Sequence, residues 1–452
     1  MWGGHSCPPA CPTNQVSGFG SSRIRSPRPA PFSRYNRITV SRRVYLDNNA
    51  TTPVLPEVFE AMCPYFTDHF GNASSIHHHG QETRAAIERA RESVAALLGS
   101  RPSEIVFTSG GTEADNLAIF GVMTPGDHVI TSTIEHSAVL NACKHLADPP
   151  HRCELTIVPV DGRGLIDPAD VKRALRPNTK LITIMLANNE TGTLQPVEEL
   201  GKIAAEADVY FHTDAVQAAA KLPLDVNKIG CDLLSISGHK IHAPQGVGAL
   251  YIRKGTELTP LQYGGSHERS RRAGTENVPG IVALGKAAEL AQAGLKRGEN
   301  HTMSDHSMSD LRDRLERELL KIEATHLNGS SNGHSNARSN EDAALRVPNT
   351  TNICFDGIEG EALVIALDLQ GLAVSTGSAC SSGAIEPSHV LTAMGLSRDQ
   401  AKSSIRFSLG KQNTAEDIDF ALSVIPATVA RLRSLSPIWS AAPVVSNQAA
   451  HK

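Results

Sequence analysis

Four polar residues follow predicted buried strands, and their side chains suggest covalent chemistry on a bound cofactor. Strand-like apolar runs end just before His136, Asn189, Asp214 and Lys240. Because the carboxyl ends of parallel strands meet at one edge of a sheet, we expect these residues to converge on one site. Lys240 follows a Gly-His pair directly after a buried run, where a lysine is desolvated and nucleophilic, as a Schiff-base lysine must be.

A glycine-rich turn, Ser109-Gly-Gly-Thr-Glu113, joins another predicted strand to a helix. Free backbone N–H groups and the helix dipole at such a turn bind phosphate, and Thr112 adds a hydroxyl. The chain has neither a GxGxxG nor a Walker pattern, which argues against a dinucleotide or a nucleoside triphosphate. Taken alone, Asp214 is better explained as a helix cap. Together, the turn, His136, Asp214 and Lys240 match what pyridoxal 5′-phosphate requires.

The elements that must position these residues are those of an α/β fold. Short apolar runs at 104–108, 128–132, 180–185, 209–213 and 232–236 alternate with helical periodicity, as in Gln81–Leu98, and predict a mainly parallel sheet flanked by helices. We predict a large cofactor-binding domain over 44–300 and a small α+β domain over 301–435. Residues 330–344 are polar and predict a mobile insertion, and 436–452 predict a flexible tail.

The N-terminal residues 1–43 predict a disordered basic extension, because they contain seven Arg and no acidic residue among Ser, Pro and Gly. An organelle transit peptide and a misplaced start are alternatives, but the prolines disfavour the amphipathic helix of a presequence. The eight cysteines have no disulfide-dense spacing and no CxxC pair, which indicates a reducing compartment. We therefore predict a cytoplasmic location, or an organelle if residues 1–43 are a transit peptide.

The overall composition excludes several classes of partner. A net charge of -4 and an aromatic content of 4% give no footprint for nucleic acid. No apolar run is long enough to cross a membrane, and no cysteine or histidine spacing predicts a metal site. We therefore expect no nucleic acid and no membrane among the partners, and no metal site.

Several motifs are similar to those of a known family, from about Val44 to Trp439. The motifs are Tyr45-Leu-Asp-Asn-Asn-Ala-Thr-Thr-Pro53, Phe70-Gly-Asn-Ala-Ser-Ser75, Ser109-Gly-Gly-Thr-Glu113, Ser237-Gly-His-Lys240, Arg271-Arg-Ala-Gly-Thr-Glu-Asn277 and Ser378-Ala-Cys-Ser-Ser382. In this order they resemble the cysteine desulfurases, which are class V members of the fold-type I pyridoxal-phosphate enzymes. The branch that the chain resembles supplies sulfur for iron–sulfur and nitrogenase clusters.

The resemblance implies a role for each matching residue. Lys240 would bind the cofactor covalently, Asp214 would pair with its ring nitrogen, His136 would stack on the ring and move protons, and Gln217 would reach the ring hydroxyl. The phosphate would be held by Gly111, Thr112, Ser237 and His239, together with Thr275 from the other subunit of a homodimer. Asn189, also near the cofactor, and Arg406 would hold the carboxylate of L-cysteine.

Cys380 would be the nucleophile that takes the sulfur as a persulfide. It lies in a run of small residues, 375–384, which predicts an exposed loop and not a core. The implied acceptor is an iron–sulfur scaffold protein or another sulfur carrier, and in the family this cysteine contacts nascent clusters. A selenocysteine lyase and a class V aminotransferase share the cofactor residues and are the alternatives. The tail departs from the family after Trp439, so the mode of docking to a scaffold stays open.

Overall fold

The structure is a computed structural model that describes residues 42–297, 307–330, 345–377 and 386–440. All of these residues belong to one compact unit, Val40–Lys452. Cys380 and most of the predicted extension, insertion and tail lie outside the described residues, so the predictions about them stay predictions.

Twelve strands occur in the described residues. They are β1 (Val44–Tyr45), β2 (Ile105–Thr108), β3 (His128–Ser132), β4 (Glu154–Val158), β5 (Thr179–Thr183), β6 (Tyr210–Asp214), β7 (Leu233–Ser237), β8 (Gly248–Ile252), β9 (Thr325–Asn328), β10 (Thr350–Phe355), β11 (Leu372–Ala373) and β12 (Ser404–Ser408). The helices in the same residues are α1 (Pro56–Met62), α2 (Pro64–Thr67), α3 (His78–Leu98), α4 (Gly111–Val122), α5 (Ser137–Ala147), α6 (Pro168–Ala174), α7 (Val197–Glu206), α8 (Val226–Ile229), α9 (Val278–Lys296), α10 (Met308–Leu319), α11 (Gly360–Asp368), α12 (His389–Ala393), α13 (Arg398–Lys402), α14 (Ala415–Leu435) and α15 (Pro437–Ser440).

A seven-stranded sheet with the order β2-β8-β7-β6-β5-β3-β4 forms the centre of the fold. Strand β8 runs antiparallel to both of its neighbours, and the other pairings are parallel. The predicted mainly parallel sheet flanked by helices is therefore confirmed.

Alternate residues of the strands face opposite sides of this sheet, which gives it two buried faces. Ile105 and Phe107 of β2 pack in a core with α3, α7 and α9, whereas Val106 packs in a second core with α4 and α5. The helices thus cover both faces, and in sheets of this kind ligands bind at the carboxyl ends of the strands.

A second, smaller sheet is antiparallel, with the order β12-β10-β9. Its core is shared with α10, α11 and α14, and also with Val44 and Leu46 from the start of the described chain. Strand β1 pairs in parallel with β11, which places the first described residues beside residues 372–373. The division at residue 300 stays a prediction. Among the described residues, no helix is long and apolar enough to span a membrane.

Candidate active site

A cavity of about 950 Å³ opens at the carboxyl ends of the central strands. The sequence-predicted residues that line it are Gly111, Thr112, His136, Asn189, Asp214, Gln217, Ser237, His239, Lys240 and Arg406. Thr275 does not line this cavity; it is exposed on the segment that leads into α9. Cys380 lies outside the described residues, but Gly377 and Glu386, which border the undescribed segment, both line the cavity.

Lys240 lies in a short 3-10 turn that directly follows β7. Its ammonium donates hydrogen bonds to the carbonyl oxygens of Asn49, at 2.5 Å, and Ala50, at 2.7 Å. Burial and the nearby Arg406 guanidinium lower the pKa of Lys240 to about 8, against an ordinary 10.5. A substantial fraction of this amine is therefore neutral and nucleophilic near physiological pH.

Asp214 ends β6 as a buried carboxylate whose Oδ1 accepts a hydrogen bond from the Val216 N–H at 2.8 Å. Burial raises the pKa of Asp214, and His136 and Lys240 act in the opposite direction. A buried carboxylate at a cavity wall favours a cationic partner, because the pairing compensates for the lost hydration. A protonated ring nitrogen has this property.

His136 is the N-cap residue of α5, and its Nδ1 accepts a hydrogen bond from the Ala138 N–H at 3.2 Å. Burial lowers the pKa of His136, so its imidazole is neutral at physiological pH. Since Nδ1 acts as an acceptor, the ring proton is on Nε2. The neutral ring can therefore lie flat on an aromatic ligand without adding a charge to the cavity.

The predicted phosphate-binding turn is formed by residues 109–112 at the N-terminus of α4. A Cβ atom on Gly111 would lie 2.9 Å from the side chain of Val216, and one on Gly248 of β8 would lie 2.7 Å from the Gly110 Cα atom. Glycine is thus required at both positions for the turn to pack on the sheet. Glu113 closes the turn by accepting the Ser109 N–H at 2.7 Å and pairs with Arg272 at 2.8 Å.

Arg406 of β12 projects from the small sheet into the cavity. Its Nη2 lies 2.6 Å from Asp47 Oδ1, and its Nη1 donates to the Asn189 carbonyl oxygen at 3.0 Å. The Nε atom is buried and has no hydrogen-bond partner among the described residues. An unpaired donor of this kind is available to a carboxylate ligand.

The cavity-lining residues without a predicted role include Asn49, Glu190 and His389. Asn49 belongs to a motif that carried the resemblance, and its side chain bonds to the Asn189 carbonyl and to Thr350. Glu190 accepts a hydrogen bond from Ser388 at 2.6 Å, and His389 Nε2 lies 3.0 Å from the Glu135 carbonyl oxygen. Glu190 adjoins Asn189 in the sequence and His389 lies beyond the run 375–384, but nothing local indicates that either residue faces the cavity.

Comparisons with known proteins agree with this geometry. A family model described as aminotransferase class-V matches residues 44–420. A cysteine desulfurase IscS of Methanosarcina thermophila is 50% identical over 407 residues, which are 89% of this chain and 96% of that protein. A cysteine desulfurase IscS of Dictyoglomus turgidum is 50% identical over 403 residues, which are 88% and 97% of the two chains.

Two solved structures are also similar. A NifS-like protein superposes with a TM-score of 0.77 at 38% identity and covers 86% of this chain and 100% of its own. A structure described as SspA in complex with cysteine superposes with a TM-score of 0.69 at 37% identity over 82% of this chain and 99% of its own.

The fold and the cavity define a pyridoxal-phosphate enzyme, and the chain belongs to the class V aminotransferase family. Its cofactor is pyridoxal 5′-phosphate. Within that family the chain is a cysteine desulfurase, as its relatives at 50% identity over most of its length are.

Proposed function

We propose that this cavity converts L-cysteine to L-alanine and transfers the sulfur atom to the Cys380 thiol. The C–S bond of the substrate breaks, an S–S bond forms on Cys380, and the protons of the two thiols are redistributed between alanine and the persulfide. No external oxidant or reductant is needed. The electron pair of the broken C–S bond stays on the carbon atom, and the Cys380 thiolate supplies the electron pair of the new S–S bond. The convergence of Lys240, Asp214 and Arg406 on one cavity carries this proposal.

The cavity residues fit pyridoxal phosphate. Lys240 would hold it covalently, Asp214 would pair with the ring nitrogen, and Gln217 would reach the ring hydroxyl. The phosphate would be held by Gly111 and Thr112 of the turn at the α4 N-terminus, together with Ser237 and His239. When bound, the cofactor supplies an electron sink that allows L-cysteine to lose its α-proton and weakens its C–S bond.

The remaining cavity groups orient the substrate and move protons. Arg406 and Asn189 would bind the carboxylate of L-cysteine, with the unpaired Arg406 Nε as one donor. Lys240, with a pKa of about 8, can take up or release a proton near physiological pH. The neutral His136 ring would stack on the cofactor and exchange a proton through Nε2.

Cys380 is assigned as the nucleophile from its motif. Gly377 and Glu386 support this assignment, because both line the cavity and they border the segment that contains Cys380. A thiolate attacks sulfur far better than an alcohol or a buried thiol does. By contrast, burial raises the pKa of Cys231 to about 12 and that of Cys354 to about 12, so these thiols stay protonated.

The active form is proposed to be a homodimer in which Thr275 completes the partner's phosphate site. Thr275 is exposed and does not line the cavity of its own chain. Large apolar side chains on α2 and the segment before α3 are also exposed: Phe66 by 61%, Phe70 by 68% and Ile76 by 94%. Apolar residues that are this exposed in one protomer favour burial against another.

Subunit mixing tests the shared site. Thr275→Glu would repel the phosphate, and Lys240→Ala would remove the cofactor-binding amine, so each variant dimer should be inactive alone. A mixed dimer has one site with an intact Lys240 and an intact Thr275 from the other chain, so mixing should restore activity. If Thr275 served its own chain, no site in the mixed dimer would be intact, and activity would stay absent.

We further propose a cytoplasmic location and a sulfur acceptor that is an iron–sulfur scaffold or another carrier protein. The five described cysteines are free thiols, which agrees with a reducing compartment. Transfer of labelled sulfur from L-cysteine to proteins that co-purify with the enzyme would identify the acceptor. The same co-purification with Cys380→Ser is the control, since this variant has no sulfur to transfer.

The decisive experiment measures alanine and sulfide from L-cysteine with a thiol reductant present, beside amino-group exchange with a keto acid. Alanine with an equal amount of sulfide supports the proposal. Keto-acid exchange without sulfide would indicate an aminotransferase instead. Turnover of selenocysteine with none of cysteine would indicate a selenocysteine lyase.

A further inference from the structure

A second lysine, Lys221, lies beside the cofactor site with its side chain directed to neutral groups. It follows β6 by seven residues, and its ammonium donates hydrogen bonds to Gln217 Oε1 at 2.7 Å and Asn49 Oδ1 at 3.1 Å. Both acceptors are amide oxygens, so these contacts do not neutralise its charge. Burial, together with the cationic neighbours Lys240 and Arg406, lowers the pKa of Lys221 well below its usual value. A lysine in this setting is costly, which calls for a role.

The contact with Lys221 determines which end of the Gln217 amide faces the cavity. Lys221 Nζ donates to Gln217 Oε1 at 2.7 Å, so the oxygen end of the amide faces Lys221. Nε2 is then turned away from Lys221 and donates to the Asn49 carbonyl oxygen at 3.0 Å. An amide nitrogen carries two N–H groups, and this contact uses one of them. One donor of Gln217, a residue that lines the cavity, is left for a ligand.

Lys240 belongs to the same hydrogen-bond network as Lys221 and Gln217. The Asn49 carbonyl oxygen that accepts from Gln217 also accepts from the Lys240 ammonium, at 2.5 Å. The Asn49 side chain is held in turn by Thr350, at 2.9 Å, and by Asn349, at 3.1 Å. Lys221, Gln217, Asn49 and Lys240 therefore form one continuous set of hydrogen bonds, anchored on the small sheet.

We propose that Lys221 is a positioning residue that holds Gln217 with an amide N–H toward the ring hydroxyl of the cofactor. This inference rests on the proposed function, in which Gln217 reaches that hydroxyl. An N–H donor stabilises the deprotonated ring oxygen, whereas a flipped amide would present an acceptor and favour the protonated form. Lys221 thereby lowers the pH at which the bound cofactor titrates.

The test is a pH titration of the visible absorbance of the dimeric holoenzyme. Lys221→Met keeps the length of the side chain but removes its donors and charge, and we expect the titration midpoint to rise by about one pH unit, the equivalent of one hydrogen bond. The dissociation constant of pyridoxal phosphate from the apoenzyme should rise about tenfold for the same reason. Lys202→Met, an exposed lysine on α7, is the matched control and should change neither quantity.

A Gln217→Leu background shows whether Lys221 acts through Gln217. We expect Gln217→Leu to raise the midpoint by itself and Lys221→Met to add no further shift to it. If Lys221→Met does not assemble, Lys221→Gln replaces it, because this variant removes the charge but keeps a polar side chain. We again expect the titration midpoint to rise.

Three results would overturn the inference. An unchanged midpoint in the Lys221 variants, with a shifted one in Gln217→Leu, would refute the role of Lys221 and leave the proposed function intact. If Lys221→Met shifts the titration midpoint equally in the wild-type and Gln217→Leu backgrounds, Lys221 acts independently of Gln217. An unchanged midpoint in Gln217→Leu would refute the placement of Gln217 at the ring hydroxyl, and the role of Lys221 with it.

Discussion

Arg406 Nη2 and Asp47 Oδ1 lie 2.6 Å apart, in an ion pair between residues that are 359 positions apart in the chain. The pair joins the start of the described chain to β12 and fixes the guanidinium at the cavity wall. Its unpaired Nε is then preoriented for a substrate carboxylate.

Arg406→Lys should therefore impair substrate binding more than later steps. Lysine keeps the charge but cannot form the planar two-point contact, and it cannot hold Asp47 and the substrate together. Loss of one charged hydrogen bond predicts a KM for L-cysteine raised by roughly 10- to 150-fold, with a smaller change in kcat. Steady-state alanine formation measures both constants. Arg163→Lys on the surface is the control, and an unchanged KM in Arg406→Lys would contradict the assignment.

Capture of pyridoxal phosphate by the apoenzyme should depend on pH through Lys240. Its pKa is about 8, lowered from 10.5, so the neutral amine that reacts with the aldehyde predominates above pH 8. The capture rate should rise with a midpoint near pH 8. Arg406→Gln removes a neighbouring positive charge and should move the midpoint upward. Stopped-flow absorbance measures the rate, and borohydride reduction with peptide mapping should locate the adduct on Lys240. An adduct on Lys221 would contradict this prediction.

Cys380→Ser should separate sulfur transfer from substrate binding. The hydroxyl is protonated at neutral pH and cannot accept sulfur, so alanine formation should fall by several orders of magnitude. The spectral change on adding L-cysteine should remain, because Lys240, Asn189 and Arg406 are intact. Cys63→Ser, another free cysteine, is the control and should be fully active. Substantial alanine and sulfide from Cys380→Ser would instead favour elimination without a cysteine nucleophile.

Glu135 should make the protein less stable as the pH rises. It is fully buried behind the cavity and accepts hydrogen bonds from Ser132 and the Met185 N–H, and burial raises its pKa to about 8 from an ordinary 4.5. The folded state therefore holds this proton up to about pH 8, whereas the unfolded chain releases it above about pH 4.5. The contribution of Glu135 to stability is complete below pH 4.5 and is lost as the pH rises toward 8.

Glu135→Gln resembles the protonated acid and has no such proton to lose. Its melting temperature should match that of the wild type near pH 4.5 and exceed it by a few degrees at pH 8. Differential scanning calorimetry of the holoenzyme at the two pH values measures the difference. Glu60→Gln, at an exposed carboxyl on α1, should run parallel to the wild type. A constant offset between Glu135→Gln and the wild type would mean that Glu135 is charged in the folded state.

The sequence predicted the groups at strand ends well, because short-range patterns determine them. Asp214 ends β6 and Lys240 follows β7, and these two strands are adjacent in the sheet. The antiparallel direction of β8 was not predicted, since a buried strand has the same apolar pattern in either direction. Its neighbour β2 is about 140 residues away in sequence, so the pairing is set by tertiary packing.

The role of Asn49 could not be predicted either. Its partners Lys240, Asn189 and Thr350 lie between 140 and 301 positions away, and no local periodicity links them. Lys221 and Gln217 are four positions apart, but they lie in a turn in which Ala220 has a left-handed φ of 62°, so no helical periodicity links them. An isolated lysine after a turn also resembles an ordinary surface residue, so this contact could not be predicted.

The pairing of β1 with β11 sets the order in which the enzyme is completed during its synthesis. Residues 44–49 leave the ribosome early, but their partners at 372–373 and 406–408 are made more than 320 residues later. At about 5–20 residues per second, the early segment waits some tens of seconds without its partners. The central sheet can fold in that interval. The contacts of Lys240 and Gln217 with Asn49 become complete only after the small sheet has formed and packed against Asn49. Nascent chains that end before β11 should therefore fail to retain the cofactor.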